Sequence, residues 1–337
     1  MTLTKKFKGR SVLITGACGT IGRELCRQVV DAGADRVVCL DNNETDLFFL
    51  QETYRSNGQL SCYLADIRDL EALTQRMQGV EIVLHSAALK HVGLCEDSPA
   101  QAVRTNIEGT QNVIDAALAN KVERVIFTSS DKAVNPTNVM GTSKLMGERL
   151  MTAASLNNRN SDTVFASTRF GNVLGSRGSV VPLFQRQIAS GGPVTLTDPD
   201  MTRFIMTLEE AVELVLRSAF LAIGGEVFVT KMPVARIIDI ATLMINSLAG
   251  NVPVEIVEIG AKPGEKMYEE LMNDEEVRRA WEIENFFIVL PALAGSHLDR
   301  YQIVKGRQKA RRPYQSSEES PLTKANLSEY FAQKKIL

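Results

Sequence analysis

Net charge is close to absent from this sequence: 38 lysines and arginines stand against 40 aspartates and glutamates, a formal balance of −2. That leaves no electrostatic footprint for nucleic acid or for an anionic membrane surface, so neither is expected as a partner. No apolar run approaches the ~20 residues of a membrane span. Residues 1–10 are basic but lead into a short strand rather than a signal-peptide core. The expectation is therefore a cytoplasmic protein without membrane insertion. Histidine is reduced to three residues, His85, His91 and His297, without metal-ligand spacing. The five cysteines (Cys18, Cys26, Cys39, Cys62 and Cys95) contain no CxxC pair and read as reduced packing residues. No metal site is expected. Internal repeats and long low-complexity linkers are missing too. What the 337 residues do have is 44% hydrophobic content, enough for a full core in one large α/β domain or two smaller ones.

The first half of the chain alternates strands and helices. Residues 11–15 (SVLIT) form an apolar strand, and Gly16-Ala17-Cys18-Gly19-Thr20-Ile21-Gly22 follows at once. Ile21, Leu25 and Val29 recur at helical spacing, which puts the glycines on a strand-to-helix turn. In this GxxGxxG spacing Gly16 permits the tight turn, Gly19 lets a pyrophosphate approach the backbone, and Gly22 lets the helix pack on the sheet. The helix N-terminus offers N–H groups and positive dipole to the phosphates. A second strand, 36–40, ends in Asp41, placed to accept both hydroxyls of an adenosine ribose. No basic residue follows directly in Asn42-Asn43-Glu44, so NAD is favoured over NADP. A third strand, 60–64, leads to Ala65-Asp66-Ile67; Asp66 either accepts from an adenine amino group or caps the helix starting near Leu70. A fourth, 81–85, ends in Ser86-Ala87-Ala88-Leu89-Lys90, where small residues let a dinucleotide lie against the backbone. A long helix is expected over 102–118. Four β-α repeats give an α/β, doubly wound parallel-sheet Rossmann fold. Residues 1–190 read as the NAD-binding domain, to which later elements can return, and 191–337 as a smaller α/β substrate lobe with a C-terminal tail.

The chain is organised around Ser129-Ser130-Asp131-Lys132, at the carboxyl end of a buried strand (123–128), where open α/β sheets place ligands. Pro136 then breaks the chain, and a helix over 142–153 carries Lys144. Hydroxyls, a carboxylate and an ammonium can transfer protons there, or can be a solvated ion pair in a loop. After a strand at 163–168, a glycine- and serine-rich loop bears Arg169 and Arg177. They can clasp a diphosphate through guanidinium forks, or form surface ion pairs. Further on come a short strand at 194–197, Arg203, and helices at 208–222 and 237–248, with Arg203 the side chain expected to reach the diphosphate or sugar. The basic run 305–312 is followed by Glu318-Glu319 and reads as a solvated segment. The tail beyond Pro313 ends in a short helix packed on the body or on a partner.

The glycine triad, Asp66, Ala87-Ala88, Asn106 within Thr-Asn-x-x-Gly-Thr, and the serine loop with its xxxLys helix resemble the extended short-chain dehydrogenase/reductase family. More narrowly, 88–92, 130–136, 171–181, 197–207 and Pro263-Gly264-Glu265-Lys266 resemble the UDP-N-acetylglucosamine 4,6-dehydratases of polysaccharide biosynthesis. The likeness runs from about residue 8 to 271 and recurs around 313–316. It implies a hydro-lyase that oxidises C4 of UDP-N-acetylglucosamine with NAD, removes the C5 proton, expels water from C6 and returns hydride to C6. The product is the UDP-4-keto-6-deoxy-N-acetylhexosamine. A homo-oligomer paired through helices 102–118 and 142–153 is also implied.

Carried over position by position, cofactor contacts fall to Gly16, Gly19, Thr20, Ile21, Gly22, Asp41, Asp66, Ile67, Ala87, Ala88, Lys90, Asn106 and Lys144. Substrate contacts fall to Lys90, His91, Asn172, Ser176, Arg177, Arg203, Lys262 and Glu265. Catalytic roles fall to Ser130 (at the C4 hydroxyl), Asp131 (acid for the C6 hydroxyl), Lys132 (base at C5) and Lys144 (nicotinamide ribose). As a base Lys132 is expected to have a pKa pulled down toward about 7–8, and Asp131 one pushed up. Two departures stand out. Lys262 occupies a position where the family has arginine, which loses a bidentate fork. Met140 occupies the position, four before Lys144, where short-chain dehydrogenases carry a catalytic tyrosine. Methionine cannot transfer a proton; it resembles the branch that keeps the C5 configuration. The C4 proton is left to Ser130, Lys132 or a bound water. A UDP-sugar 4-epimerase and an inactive NAD-binding sensor or scaffold are the alternatives.

Overall fold

Six strands with mainly apolar centres line up in parallel and are covered on both faces. They are β1 (Ser11–Thr15), β2 (Arg36–Asp41), β3 (Leu60–Leu64), β4 (Ile82–His85), β5 (Arg124–Thr128) and β6 (Val164–Arg169). The computed structural model describes residues 6–157, 162–250, 252–261, 264–292 and 299–336. Spatial order across the six is β3-β2-β1-β4-β5-β6, so the chain reverses direction across the sheet between β1 and β4. Ligands of open α/β sheets bind at the carboxyl ends beside such a switch. One core cluster joins Val12, Ile14, Leu25, Val29 and Leu84 on one face, and another joins Leu13, Val38, Val83, Val113 and Phe127 on the other. Alternate residues of one strand thus serve opposite cores, which is why the strands read as continuous apolar runs.

The segment after β6 begins with β7 (Asn172–Val173) and the helix Val180–Ala189. It continues through β8 (Val194–Leu196), β9 (Thr202–Met206), the helix Leu208–Leu221, β10 (Val227–Thr230) and β11 (Val234–Arg236). The helix Ile237–Leu248 and β12 (Ile256–Glu258), β13 (Glu270–Met272), β14 (Ala280–Ile283), β15 (Phe286–Val289), β16 (Gln308–Lys309) and β17 (Tyr314–Gln315) complete it. The boundary at 190/191 is crossed in both directions. β10 pairs in parallel with β6, and β15, β14 and β16 extend the main sheet antiparallel, giving ten strands among the described residues. Conversely Leu174, Val181, Phe184 and Ile188, from before residue 190, pack with Ile240, Met244, Leu327 and Phe331 in the lobe core.

Three expectations change in detail. The helix expected over 102–118 is interrupted: Val103–Glu108 is a π-helical turn, and regular α-helix runs over Gly109–Ala119. The wider turn lets Asn106 face Leu89, whose N–H it accepts at 2.8 Å and whose carbonyl it bonds at 2.9 Å. The helix expected from Thr142 is Val139–Asn157, begun early because Asn138 Oδ1 accepts from Gly141 N at 2.7 Å. A Cβ at Gly141 would lie 2.1 Å from the Lys132 carbonyl oxygen, so only glycine lets this helix press on the 131–133 turn. The tail packs on the body: β17 pairs with β13, and Leu327 and Phe331 of the helix Lys324–Gln333 enter the lobe core.

Candidate active site

A cleft of about 1220 Å³ runs across the carboxyl ends of the parallel strands, from Asp41 and Asp66 on one side to Thr197 and Glu265 on the other. This exceeds the roughly 300–1,000 Å³ of a site for one small ligand, and suits two elongated ligands lying side by side.

The end beside β1 and β2 is shaped for backbone contact. Gly16 has φ of 67°, and a Cβ there would meet Ala87 at 2.7 Å; one at Gly22 would lie 2.0 Å from the Gly16 carbonyl oxygen. Helix Thr20–Asp31 starts at Gly19, which brings no side chain to its first-turn N–H groups. Asp41 accepts from Cys18 N and Asn43 N, one on each oxygen, both at 2.9 Å, which fixes the carboxylate and leaves each oxygen a further lone pair. Thr20, Ile21, Ile67, Ala87, Ala88 and Lys90 also line this end. Asp66 does not cap the following helix; Asp69 does, accepting from Ala72 N at 3.0 Å. The Arg68 guanidinium, doubly bonded to Asp66, holds that carboxyl down to about 2. Asn106 does not line the cleft. It is 1% exposed, and it shapes the site by holding the Leu89 backbone and Ser143 Oγ.

The middle of the cleft carries Ser130, Asp131, Lys132 and Lys144. Asp131 is fixed by its own backbone, whose N–H donates to the Phe170 carbonyl at 3.2 Å. Its Oδ1 accepts from Ser130 Oγ at 2.6 Å, Lys132 N at 2.9 Å and Lys132 Nζ at 3.1 Å, while its buried Oδ2 has no hydrogen-bond partner among the described residues. Lys144 is buried, donates to the Thr128 carbonyl at 2.9 Å and sits 4.6 Å over the Phe127 ring. Burial lowers it to about 8, although Glu148 pulls the other way. Met140 lines the cleft at 3% exposure, with no proton-transfer group in the tyrosine position.

Lys132 departs from expectation. Burial disfavours its ammonium, but Asp131 at 3.1 Å and Glu269 at 3.2 Å outweigh that, and its pKa is raised, not lowered. Glu269 is the site residue that sequence reasoning missed. It lines the cleft at 2% exposure, with its pKa raised by burial against the pull of Lys132. No motif spacing links it to Lys132; only its place just before β13 brings it there.

The expected arginines serve differently. Arg169 does not reach the cleft: at 1% exposure it pairs with Glu148 (2.6 and 2.7 Å), with both oxygens of Glu276 (2.8 Å each) and with the Leu271 carbonyl (3.1 Å). Arg203 lines the cleft, but its guanidinium is held by the carbonyls of Thr202, Lys266 and Met267, with Glu269 at 3.6 Å. Arg177 leans toward the first glycine loop, bonding Asp46 at 2.9 Å, while its N–H donates to Thr20 Oγ1 and its carbonyl accepts from Lys90 Nζ. Asn172, Ser176, His91 and Glu265 line the cleft, Glu265 accepting from Thr197 Oγ1 at 3.3 Å. Lys262 lies outside the described residues. His85 is a packing residue, buried between the hydroxyls of Thr15 and Thr110, with burial lowering it to about 3.

The family described as polysaccharide biosynthesis protein matches residues 12–291. An uncharacterised membrane protein of Methanocaldococcus jannaschii is 48% identical over 85% of this chain and 87% of its own length. The capsular polysaccharide biosynthesis protein CapD of Staphylococcus aureus is 44% identical over 82% of this chain, which spans only 47% of that longer protein. A UDP-N-acetylglucosamine 4,6-dehydratase (inverting) of Campylobacter jejuni is 37% identical over 85% of this chain and 84% of its own. The X-ray structure of Pen from Bacillus thuringiensis superposes with a TM-score of 0.90 at 40% identity, covering 98% of this chain and 99% of that one. Among the described residues no helix is long and apolar enough to cross a membrane. By these matches, and by its Rossmann sheet, the chain belongs to the polysaccharide biosynthesis protein family, within the extended short-chain dehydrogenases/reductases.

Proposed function

We propose that this chain catalyses the NAD-dependent 4,6-dehydration of UDP-N-acetylglucosamine, with the C5 configuration retained. The observation that carries the reading is the Asp131–Lys132 pair, 3.1 Å apart at the wall of a two-ligand cleft. The glycine end fits NAD: a Cβ at Gly16 or Gly22 would collide with backbone, and Asp41 is fixed with lone pairs to spare for ribose hydroxyls. NAD bound there supplies the hydride acceptor for C4 oxidation and the hydride donor for C6.

The chain's own residues move the protons. In the free protein Lys132 is an ammonium and donates to Asp131 Oδ1. Transfer of that proton to Asp131 produces, in one move, the neutral amine needed at C5 and the carboxylic acid needed at C6. The amine then takes the C5 proton, and the Asp131 proton leaves with the C6 hydroxyl as water, restoring the starting pair. In this reading Ser130, bonded to the same carboxylate, serves the C4 hydroxyl, whose proton would pass to water on oxidation, and a proton from water would enter C5 once hydride returned to C6, so the protons balance over the cycle. Lys144 orients ribose hydroxyls while its carbonyl contact fixes the ammonium. Pairing through the helices that cover 102–118 and 142–153, as a homo-oligomer, belongs to the same proposal.

Incubation of the NAD-loaded protein with UDP-N-acetylglucosamine should give a product lighter by one water in the mass spectrum. An intact sugar, or its 4-epimer, would sink the dehydratase reading. In deuterated water, label should enter at C5 and the NMR couplings should report retention. The C. jejuni relative is named as inverting, so an inverted product here would remove the significance assigned to Met140.

A further inference from the structure

Lys132 is held from two sides, and only one belongs to its own turn. Asp131 is its sequence neighbour; Glu269 comes from the segment just before β13 and lies 3.2 Å from the ammonium through Oε1. The other oxygen of Glu269, Oε2, is buried and has no hydrogen-bond partner among the described residues. A fold rarely keeps a buried carboxylate in that state without a use for it.

Several elements hold Glu269 in place. Its N–H donates to Ser316 Oγ at 3.0 Å, and its carbonyl accepts from Ser316 N at 2.8 Å. Ser316 Oγ lies 2.9 Å from Thr202 Oγ1, and Thr202 N donates to the Met267 carbonyl at 3.0 Å. The tail stretch around 313–316, which the reaction leaves without a role, is thus the brace that seats Glu269. The charged groups facing Lys132 are Asp131 from its own turn, Glu269, and Arg203 from β9. Beyond them, Lys266 pairs with Glu270 and donates to the Val134 carbonyl, each at 3.0 Å.

We propose that Glu269 is a positioning residue for Lys132: it keeps the amine at the cleft wall and opposes release of its proton until Asp131 takes it. This rests on the dehydration reading. A second fixed carboxylate keeps the amine anchored while Asp131 is protonated, when the Asp131 charge no longer holds it. It also makes the neutral amine depend on transfer within the site rather than on loss to water.

The test uses the full chain loaded with NAD. In Glu269→Gln, which keeps shape and removes charge, the alkaline limb of kcat/KM for water loss, where Lys132 loses the proton it hands to Asp131, should move to lower pH by about 1 unit or more. Glu269→Asp should bring it part of the way back. A second readout needs no turnover. The pH midpoint for acylation of Lys132 by an amine-reactive reagent, mapped by peptide mass, should fall by a similar amount in Glu269→Gln. An unmoved limb and an unmoved midpoint, with only a slower rate, would overturn the proposal and leave Glu269 a structural residue. If wild-type protein removes no water from the sugar, the dehydration reading falls, while the acylation midpoint still decides whether Glu269 governs Lys132. Should Glu269→Gln not fold, Ser316→Ala loosens the brace with both charges kept. Its midpoint should move the same way by less, and no movement would count against the proposal.

Discussion

Two buried ion clusters lie at the ends of neighbouring strands, and they are built to opposite specifications. At the end of β6, Arg169 is saturated: both carboxylates it meets are bonded twice, and a backbone carbonyl takes a further donor. Just beyond β5, Lys132 meets two carboxylates, and each of those keeps one buried oxygen without a hydrogen-bond partner among the described residues. Saturation lets a buried ion pair offset its desolvation, and such a cluster holds segments together. Incomplete bonding leaves a site under electrostatic tension, with proton affinities displaced and oxygens free to meet a ligand. Burial of the carboxylates does not separate the two clusters, since Glu148, Asp131 and Glu269 are all nearly inaccessible, whereas the cations differ, with Arg169 1% and Lys132 26% exposed.

The contrast can be broken experimentally. The largest effect is expected from Lys132→Ala, which should cut turnover by about 10²–10⁴-fold while NAD binding persists. Turnover near wild type would remove Lys132 as the base and erase the chemical half of the comparison. Arg169→Met should instead strike folding. It leaves Glu148 and Glu276 buried without their cation, a loss of about 3–5 kcal/mol in urea unfolding. A loss below about 1 kcal/mol would class the cluster with ordinary surface pairs. The smallest effect concerns Lys144. Its pKa in the fold is about 8, below the ordinary lysine value, so the unfolded chain binds the extra proton between pH 8 and 10.5. Stability from this group therefore rises with pH across that window, by about 1.4 kcal/mol per unit at most. Lys144→Met should flatten that rise, and equal slopes in the two proteins would show that burial of the ammonium carries no such penalty.

Much of the glycine-loop end of the cleft was legible because its determinants are local. The glycine turn, Asp41 at the end of β2, and Ala87-Ala88 after β4 each follow from an apolar run, a period and a breaker within a few residues. Lys132 and Asp131 were legible as a pair for the same reason. The direction of the Lys132 shift was not, because Glu269 was invisible. Its place in a glycine-rich loop left Arg169 between a diphosphate clasp and a surface ion pair, and it is neither, since its partners sit on the helix Val139–Asn157 and in the short helix Asp274–Val277 after β13.

The sequence by itself determined which segments of the first half become strands and helices, and that they form a doubly wound sheet with a glycine turn after its first strand. Hydrophobic period and turn chemistry act over a few residues, so they can be read in order along the chain. Tertiary structure alone decided which charges distant in sequence meet. The antiparallel pairing of β13 with β17 seats Ser316 against Glu269, and Glu269 against Lys132. Coulomb forces in a dry interior depend on a few ångströms of separation and on every partner present. Those distances exist only once segments far apart in sequence have packed.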